Sequence, residues 1–176
     1  SNFYGIKTAT NTKSEAIYDT LTMALDSSKK GVIDEKTLRK IVLSYGGDEN
    51  VGASARLYLN KSDLIAFGDV RGSDKKPVYE ITPDACNPNT GIIKDGGLAV
   101  PYTINSNLTA LAGTAQSNTA VTNTMVYGDP MNYELGLFGD YTIEVSKDYK
   151  FAEGLLTVMG EVLAGGNLIK HNGFLV

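Results

Sequence analysis

The chain has 176 residues, of which 42% are hydrophobic, and its 16 basic and 20 acidic side chains give a net charge of −4. This length corresponds to one domain, or to one domain and part of another. The slightly acidic balance argues against a dedicated nucleic-acid binder, and no apolar run is long enough to span a membrane. The single cysteine, Cys86, excludes an internal disulfide, and the single histidine, His171, excludes a multi-histidine metal site.

Two helices are predicted near the start of the chain. The first is expected over residues 15–28, because Thr12 and Glu15 fit a capping box and apolar residues then recur at helical spacing. The second is expected to begin after an N-cap at Asp34 and to end at Gly46. Each has one apolar stripe, which is typical of a helix that packs against a core.

The hydrophobic period then changes to that of β-strands. Alternation over residues 55–59 predicts a strand, and Asn60 is placed to cap a short helix that has Asp63 at its third position. A charged loop follows at 68–76, and Pro83, Pro88 and Gly91 are expected to interrupt regular structure. Further strands are predicted at 78–81, 98–104, 124–127, 135–138, 141–145, 155–163, 168–169 and 174–176. Helices mixed with strands of antiparallel type predict an α+β fold.

One long stretch of the chain, residues 96–128, carries no charged side chain. Its part at 105–124 is rich in Thr, Asn, Ser and Ala and has no strong periodicity. We expect this part to form an exposed, mobile projection on a rigid α+β body. A long structured loop and an edge hairpin are the alternatives, since Leu108, Leu111 and Val121 punctuate it.

Nucleophilic catalysis has few candidate residues in this chain. A triad would have to use His171, which stands between Lys170 and Asn172 in no nucleophile-type context, so we interpret it as a surface histidine. Cys86 lies in a loop flanked by prolines, and no neighbour in the sequence would lower its pKa, so an inert cysteine is favoured.

The loops do not match any standard ligand-binding motif. Asp69, Ser73 and Asp74 loosely resemble a calcium loop, but their spacing does not fit the EF-hand, so a solvated turn is favoured. The glycine-rich segment 46–52 fits neither the dinucleotide nor the P-loop pattern. No pair of carboxylates is singled out for glycoside hydrolysis, and the ten tyrosines are scattered. We therefore assign no catalytic, cofactor-binding or metal-binding residue.

Three segments of the chain occur in an informative order. Residues 56–64 (RLYLNKSDL) combine an apolar strand, an asparagine and a short helix, and residues 97–104 (GLAVPYTI) combine glycine, apolar residues, proline and β-branched residues. Residues 125–129 (MVYGD) form a short apolar strand that enters a Gly-Asp turn, and residues 143–146 (IEVS) precede a long strand near the C-terminus. Together these segments resemble the major capsid proteins of tailed bacteriophages with the Hong Kong 97-type capsid fold.

This resemblance implies an architecture with two parts. Residues 1–146 would form an axial-domain-like mixed sheet with flanking helices, and residues 147–176 would form long returning strands of a peripheral-type domain. The helix at 34–45 looks like an insertion, and the stretch at 105–124 is longer than in the simplest family pattern. The chain would correspond to the C-terminal part of the family's proteins, because their N-terminal arm, extended loop and spine helix precede this region.

The resemblance also implies a structural function. The chain would be a virion protein that self-assembles into the icosahedral head shell around the phage genome, through repeated interfaces and without enzymatic activity. Its partners would be copies of itself and scaffold or head-maturation proteins, with no cofactor, no metal, no specific nucleic-acid site and no membrane. It would reside in the virion, and in the host cytoplasm during assembly.

Two alternatives remain open at this point. One alternative to the phage capsid is a β-rich module that binds carbohydrates or surfaces. The other is a shell protein of a bacterial nanocompartment, which shares the capsid fold. Under the capsid interpretation we expect this chain alone to be mostly monomeric or a weak small oligomer, because only part of the contacts that hold such a shell would be available.

Overall fold

The computed structural model describes residues 17–19, 24–45, 54–112, 124–137, 142–146, 157–161, 164–168 and 174–175. Within these ranges there are two α-helices, α1 (Thr37–Tyr45) and α2 (Lys61–Asp69), and a 3₁₀ turn at Pro130–Asn132. The strands are β1 (Ile17–Asp19), β2 (Arg56–Leu59), β3 (Glu80–Pro83), β4 (Thr90–Asp95), β5 (Leu98–Ile104), β6 (Val126–Gly128), β7 (Tyr133–Leu137), β8 (Thr142–Ser146), β9 (Thr157–Glu161), β10 (Ala164–Leu168) and β11 (Phe174–Leu175).

Seven strands form one mixed sheet in the order β1-β11-β6-β2-β5-β4-β3. The pairs β1–β11 and β2–β5 are parallel, and the other neighbours in this sheet are antiparallel. The pairs β7–β10 and β8–β9 form separate two-stranded antiparallel ribbons. A mixed sheet combined with helices confirms the predicted α+β class.

The core lies between one face of the large sheet and the two helices. In β2 the burial alternates, so that Leu57 and Leu59 are fully buried while their neighbours are half-exposed. On the same face Tyr127 of β6 meets Tyr45 of α1 edge-to-face, with ring centroids 5.6 Å apart. The buried hydrophobic residues of the core cluster are Ile33, Leu38, Ile41, Tyr45, Ala55, Leu57, Leu59, Phe67, Tyr79, Ile93, Val100, Tyr102, Leu111, Met125 and Tyr127.

The first predicted helix, over 15–28, is wrong where the structure describes it. Residues 17–19 form strand β1, and residues 25–31 form a turn closed by a bridge between Leu25 and Gly31. The Asp26 carboxylate accepts the N–H groups of Ser28 and Lys30, at 2.8 and 2.9 Å, and so stabilises a turn instead of a helix. The predicted capping residues Thr12 and Glu15 lie outside the described residues.

The second predicted helix is confirmed as α1. Asp34 organises its N-terminus, because its Oδ1 accepts the Lys36 N–H at 2.9 Å. Tyr79 then holds the helix start to the sheet: its hydroxyl donates to the Asp34 carbonyl at 2.7 Å and accepts from the Leu38 N–H at 3.4 Å. The predicted cap of the next helix is also confirmed, since Asn60 Oδ1 accepts the Ser62 N–H at 2.9 Å at the start of α2.

Strand β4 is the main element that the sequence prediction lacks. Pro83 and Pro88 do not interrupt the sheet, because Pro83 ends the edge strand β3 and Pro88 lies in the turn that leads to β4. Gly91 permits the close pairing of the two strands: a Cβ on it would lie 2.4 Å from the Thr82 carbonyl oxygen. The strand predicted at 78–81 accordingly lies slightly later, at 80–83.

Most later strands are confirmed with small shifts in their ends, but the strand predicted at 168–169 is wrong in its position, because β10 begins at Ala164 and ends at Leu168. The pairing of these strands bears on the predicted domains. Strands β9, β10 and β11 all follow residue 147, and they pair with β8, β7, and both β1 and β6, which all precede it. The described end of the chain is thus interleaved with earlier strands. The division into residues 1–146 and 147–176 stays a prediction.

Candidate assembly surface

The residues considered for chemistry do not converge in the described part of the chain. Cys86 is exposed in the turn between β3 and β4. Asp74 Oδ1 accepts the Lys76 N–H at 3.1 Å within a tight turn, as expected of a solvated loop, and Asp69 is exposed at the end of α2. His171 and the segment 46–52 lie outside the described residues.

The described ranges hold neither a cluster of metal-ligating side chains nor a helix able to span a membrane. No group of three or more His, Cys, Asp or Glu side chains there is arranged to hold a metal ion. None of the helices found in those ranges has the length and apolar character needed to cross a bilayer. The features that these ranges do show include a buried polar clamp, an open sheet face, a few exposed apolar side chains, and an open cleft of about 620 Å³ lined by residues 31–36, Ala66, residues 69–71 and Ala112.

The buried clamp joins the start of α2 to the segment that follows β5. The Asp63 carboxylate accepts two backbone N–H groups, from Leu111 to Oδ2 and from Ala112 to Oδ1, each at 2.9 Å. Asn60 Nδ2 donates to the Leu108 carbonyl at 2.7 Å. Asn60 and Asp63 together therefore fix residues 108–112, and we call these two side chains with that segment the Asp63 clamp.

The clamp contradicts part of the prediction for the uncharged stretch. Up to residue 112 the stretch is not a free projection, because Leu111 is 7% exposed and belongs to the core. Ala112 forms a parallel bridge with Gly31, so this segment is also attached to the chain before α1. Residues 113–123 lie outside the described residues, and at the far end Met125 is again buried.

Asp63 is electrostatically unusual. Its side chain is completely buried at the third position of α2, and burial raises the pKa of this carboxyl above its ordinary value. The hydrogen bonds from Ala112 and Leu111 act in the opposite direction, because they favour the ionised form, but they do not cancel the cost of burial. Asp63 is thus a structural carboxylate with no access to a substrate.

The second feature is the side of the large sheet that faces away from the core. Cross-strand pairing places eight side chains of β3, β4 and β5 on this side in three rows, and all eight are exposed or half-buried. We call this surface the open sheet face. Its residues are Glu80, Thr82, Thr90, Ile92, Lys94, Ala99, Pro101 and Thr103.

The eight side chains of the open sheet face carry no net charge among themselves, but a cation from the adjacent strand reaches them: the Arg56 guanidinium of β2 donates to Thr103 Oγ1 at 2.8 Å. Glu80 and Lys94 lie directly opposite each other on β3 and β4, and the six other side chains are uncharged. Ile92 and Pro101 form an apolar pair at its centre. A surface with an apolar centre and surrounding hydroxyl groups is suited to contact with another protein surface.

Large apolar side chains are also exposed at separate places. Leu43 on α1 and Ile65 on α2 are 66% and 65% exposed, and Met131 and Leu135 near the start of β7 are 72% and 60% exposed. Single exposed apolar residues are common on soluble proteins. They add apolar area to both the helical side and the β7–β10 ribbon, but none of them defines a site alone.

Sequence reasoning missed both the clamp partners and the open sheet face. It assigned Asn60 and Asp63 correctly to a cap and a third helical position, but their partners lie about 48 residues away in the chain. The open sheet face depends on β4, which was not predicted. Residues 90–95 (TGIIKD) show no alternation of polar and apolar residues, and only the structure reveals that burial alternates, with Ile93 buried and Ile92 half-buried.

Comparison with known proteins identifies the fold. No protein-family model and no curated protein matches the sequence. Two solved structures, the capsid of an empty GTA (gene transfer agent) particle and the capsid of a native GTA particle, match with TM-scores of 0.56 and 0.61. The matches cover 95% and 99% of this chain at 15% and 12% sequence identity.

The chain has the fold of a phage-type capsid protein. The predicted resemblance to phage capsid proteins is therefore confirmed, while the assignment to the Hong Kong 97 type stays a prediction. The chain spans about half the length of the two capsid chains that it matches, namely 51% and 52%.

Proposed function

We propose that this protein is a structural subunit of the shell of a phage-like particle. The observation that carries the proposal is the match in fold, over almost the whole chain, to capsid chains of two GTA particles. At this level of sequence identity the match concerns the fold, so the step from fold to shell function is our inference. It agrees with the three sequence segments that resemble phage capsid proteins.

The described surface supports this proposal. A shell protein acts through several modest contacts that operate together, and it needs shape complementarity more than reactive groups. The open sheet face holds one opposed Glu–Lys pair, and the Arg56 guanidinium beside Thr103 adds a positive charge that a facing surface would have to accommodate. The Asp63 clamp fixes the segment beside α2, which keeps the adjacent surface in one geometry.

The remaining roles follow from the shell proposal. The protein's partners would be other copies of itself, with scaffold or head-maturation proteins during assembly. It would act without catalysis, cofactor or metal, in the particle shell and, before assembly, in the host cytoplasm. Residues 1–146 and 147–176 would correspond to the axial and peripheral parts of the capsid subunit.

Particles from the source cells provide the direct test. We expect density-gradient fractions that contain regular shells to yield peptides of this chain as the most abundant protein by mass spectrometry. Cryo-electron microscopy of these shells should place the seven-stranded sheet in the subunit. Packaged nucleic acid would favour a phage-like particle, and an enzyme cargo would favour a nanocompartment.

A negative result is equally clear. Absence of these peptides from all shell fractions, together with a soluble protein that binds glycans, would contradict the shell function. It would favour the carbohydrate-binding alternative.

A further inference from the structure

The Asp63 clamp buries an ionisable group, so its stability depends on whether Asp63 is charged. The Asp63 side chain has no exposed surface, and its described hydrogen bonds are the two from the backbone N–H groups of Leu111 and Ala112. A carboxylate offers about four acceptor positions, and burial removes the water that would otherwise fill them. An ionised carboxyl in such a place is costly unless a cation lies beside it.

The segments that contact Asp63 supply no such cation. Residues 105–112, which receive its hydrogen bonds, contain no ionisable side chain, and neither do residues 31–33, which bridge to Ala112. In its own helix Lys61 and Asp69 are exposed. Ala112 borders a cleft whose charged lining residues are Asp34, Glu35, Lys36, Asp69 and Arg71, but Asp63 does not line this cleft. The pKa of Asp63 responds to burial and to the two backbone hydrogen bonds.

We propose that Asp63 makes the segment 105–112 responsive to pH, so that the segment opens away from the body of the protein less often at mildly acid pH than at neutral pH. The inference goes beyond the shell proposal and does not depend on it. Its physical basis is that opening hydrates the carboxylate, and this relieves a cost that exists only while Asp63 is ionised.

The sign follows from the balance of the two influences. Burial raises the pKa of Asp63 more than the two hydrogen bonds lower it. The closed state therefore takes up a proton at a pH where the opened state has already lost it, and acidification favours closure. If the hydrogen bonds outweighed burial, acidification would favour opening, so the direction of the effect is a strict test.

Hydrogen–deuterium exchange of the whole chain between about pH 4 and pH 8 measures this opening, after correction for the intrinsic exchange rate. We expect the opening constant of the Leu111 and Ala112 amides to rise with pH. The rise should be about tenfold for each unit by which the pKa of Asp63 exceeds its ordinary value. Amides of β5 serve as an internal reference for global unfolding.

Two variants separate Asp63 from other acidic groups. Asp63→Asn should remove the pH dependence at 111–112, and Asp69→Asn, which changes an exposed acid in the same helix, should retain it. A wild-type opening constant that does not change, or that rises as the pH falls, overturns the proposal. Should Asp63→Asn fail to fold, ¹³C titration of the wild-type carboxyl decides: a midpoint at or below the ordinary value for aspartate also overturns it.

Discussion

Replacing Gly31 by alanine tests whether the packing of the uncharged stretch against the body of the protein is as close as described. A Cβ at residue 31 would lie 2.3 Å from the carbonyl oxygen of Leu111, and 3.2 Å from both its carbonyl carbon and its Cγ. The nearest obstacle is a backbone atom that cannot move aside by rotating a side chain. The segment around Leu111 must therefore shift away from residues 31–33.

The cost of this shift can be worked out from what it disturbs. Excess volume in a packed core costs about 1–3 kcal/mol, and full burial of a leucine contributes about 1.5–3 kcal/mol. The shift partly exposes Leu111, which is 7% exposed, and strains the two hydrogen bonds to Asp63. We expect Gly31→Ala to lower the free energy of unfolding by about 2–4 kcal/mol.

Urea denaturation followed by circular dichroism measures this loss. With a dependence on urea of about 2 kcal/mol per molar, the midpoint should fall by about 1–2 M. Gly97→Ala is the matched control, because a Cβ there meets no atom within 4 Å, and it should change the stability by less than about 1 kcal/mol. If Gly31→Ala unfolds at the same urea concentration as Gly97→Ala, the described contact between Gly31 and Leu111 does not exist.

Three further predictions concern the polar ties of the fold. Asn60→Ala should lower the free energy of unfolding by about 1–3 kcal/mol, because it removes both the cap of α2 and the hydrogen bond to Leu108. The control Ser62→Ala, at an exposed neighbour, should lower it clearly less. Equal losses for the two variants in urea denaturation would argue against the clamp. Tyr79→Phe should lower the free energy of unfolding by about 1–2 kcal/mol and speed amide exchange in the first turn of α1. Unchanged exchange there would refute the hydrogen bonds of the Tyr79 hydroxyl to the start of that helix. Stability measured by urea denaturation should fall as the pH rises above about 10, because buried tyrosines keep their protons in the folded state at a pH where unfolded tyrosines lose them. Constant stability through that range would show that burial does not raise the pKa of the four tyrosines concerned, Tyr58, Tyr79, Tyr102 and Tyr127.

The elements that could be predicted from sequence are those with a strong local signal. Helix α1 combines an N-cap at Asp34 with an apolar stripe, and β5 lies at 98–104, as its apolar and β-branched residues predicted. The Asn60 cap was also predictable, since a capping side chain bonds to an N–H only two residues further along the chain.

The failures arose where a local signal had two possible meanings. Residues 15–28 have helical spacing, but the Asp26 side chain stabilises a turn by bonding to nearby N–H groups. Strand β4 shows the opposite failure, a regular element that was not predicted. Pro83 and Pro88 suggested irregular structure there, although Pro83 is tolerated at the end of an edge strand. The sequence does not show whether a strand lies at an edge, because this depends on pairing with distant segments.

The Asp63 clamp depends on such distant pairing most of all. Strands β2 and β5 are parallel neighbours, and the Asn105 N–H donates to the Leu59 carbonyl at 2.9 Å where both strands end. Parallel neighbours release their following segments at the same end of the sheet. Residues 60–63 and 105–112 therefore leave the sheet side by side, and this proximity allows Asn60 and Asp63 to reach residues 108–112.

The same topology explains why a polar clamp suits a shell subunit. Residues 105–112 contain no charged side chain and bury only one large apolar residue, Leu111, in the core, so apolar burial alone gives this segment little attachment. Hydrogen bonds have fixed directions, and those from Asn60 and Asp63 set the position of the segment relative to α2. Under the shell proposal, contacts between copies are individually modest and succeed only when several form at once. A segment held in one position keeps those contacts in register, and the buried Asp63 carboxylate supplies the directional bonds that hold it there.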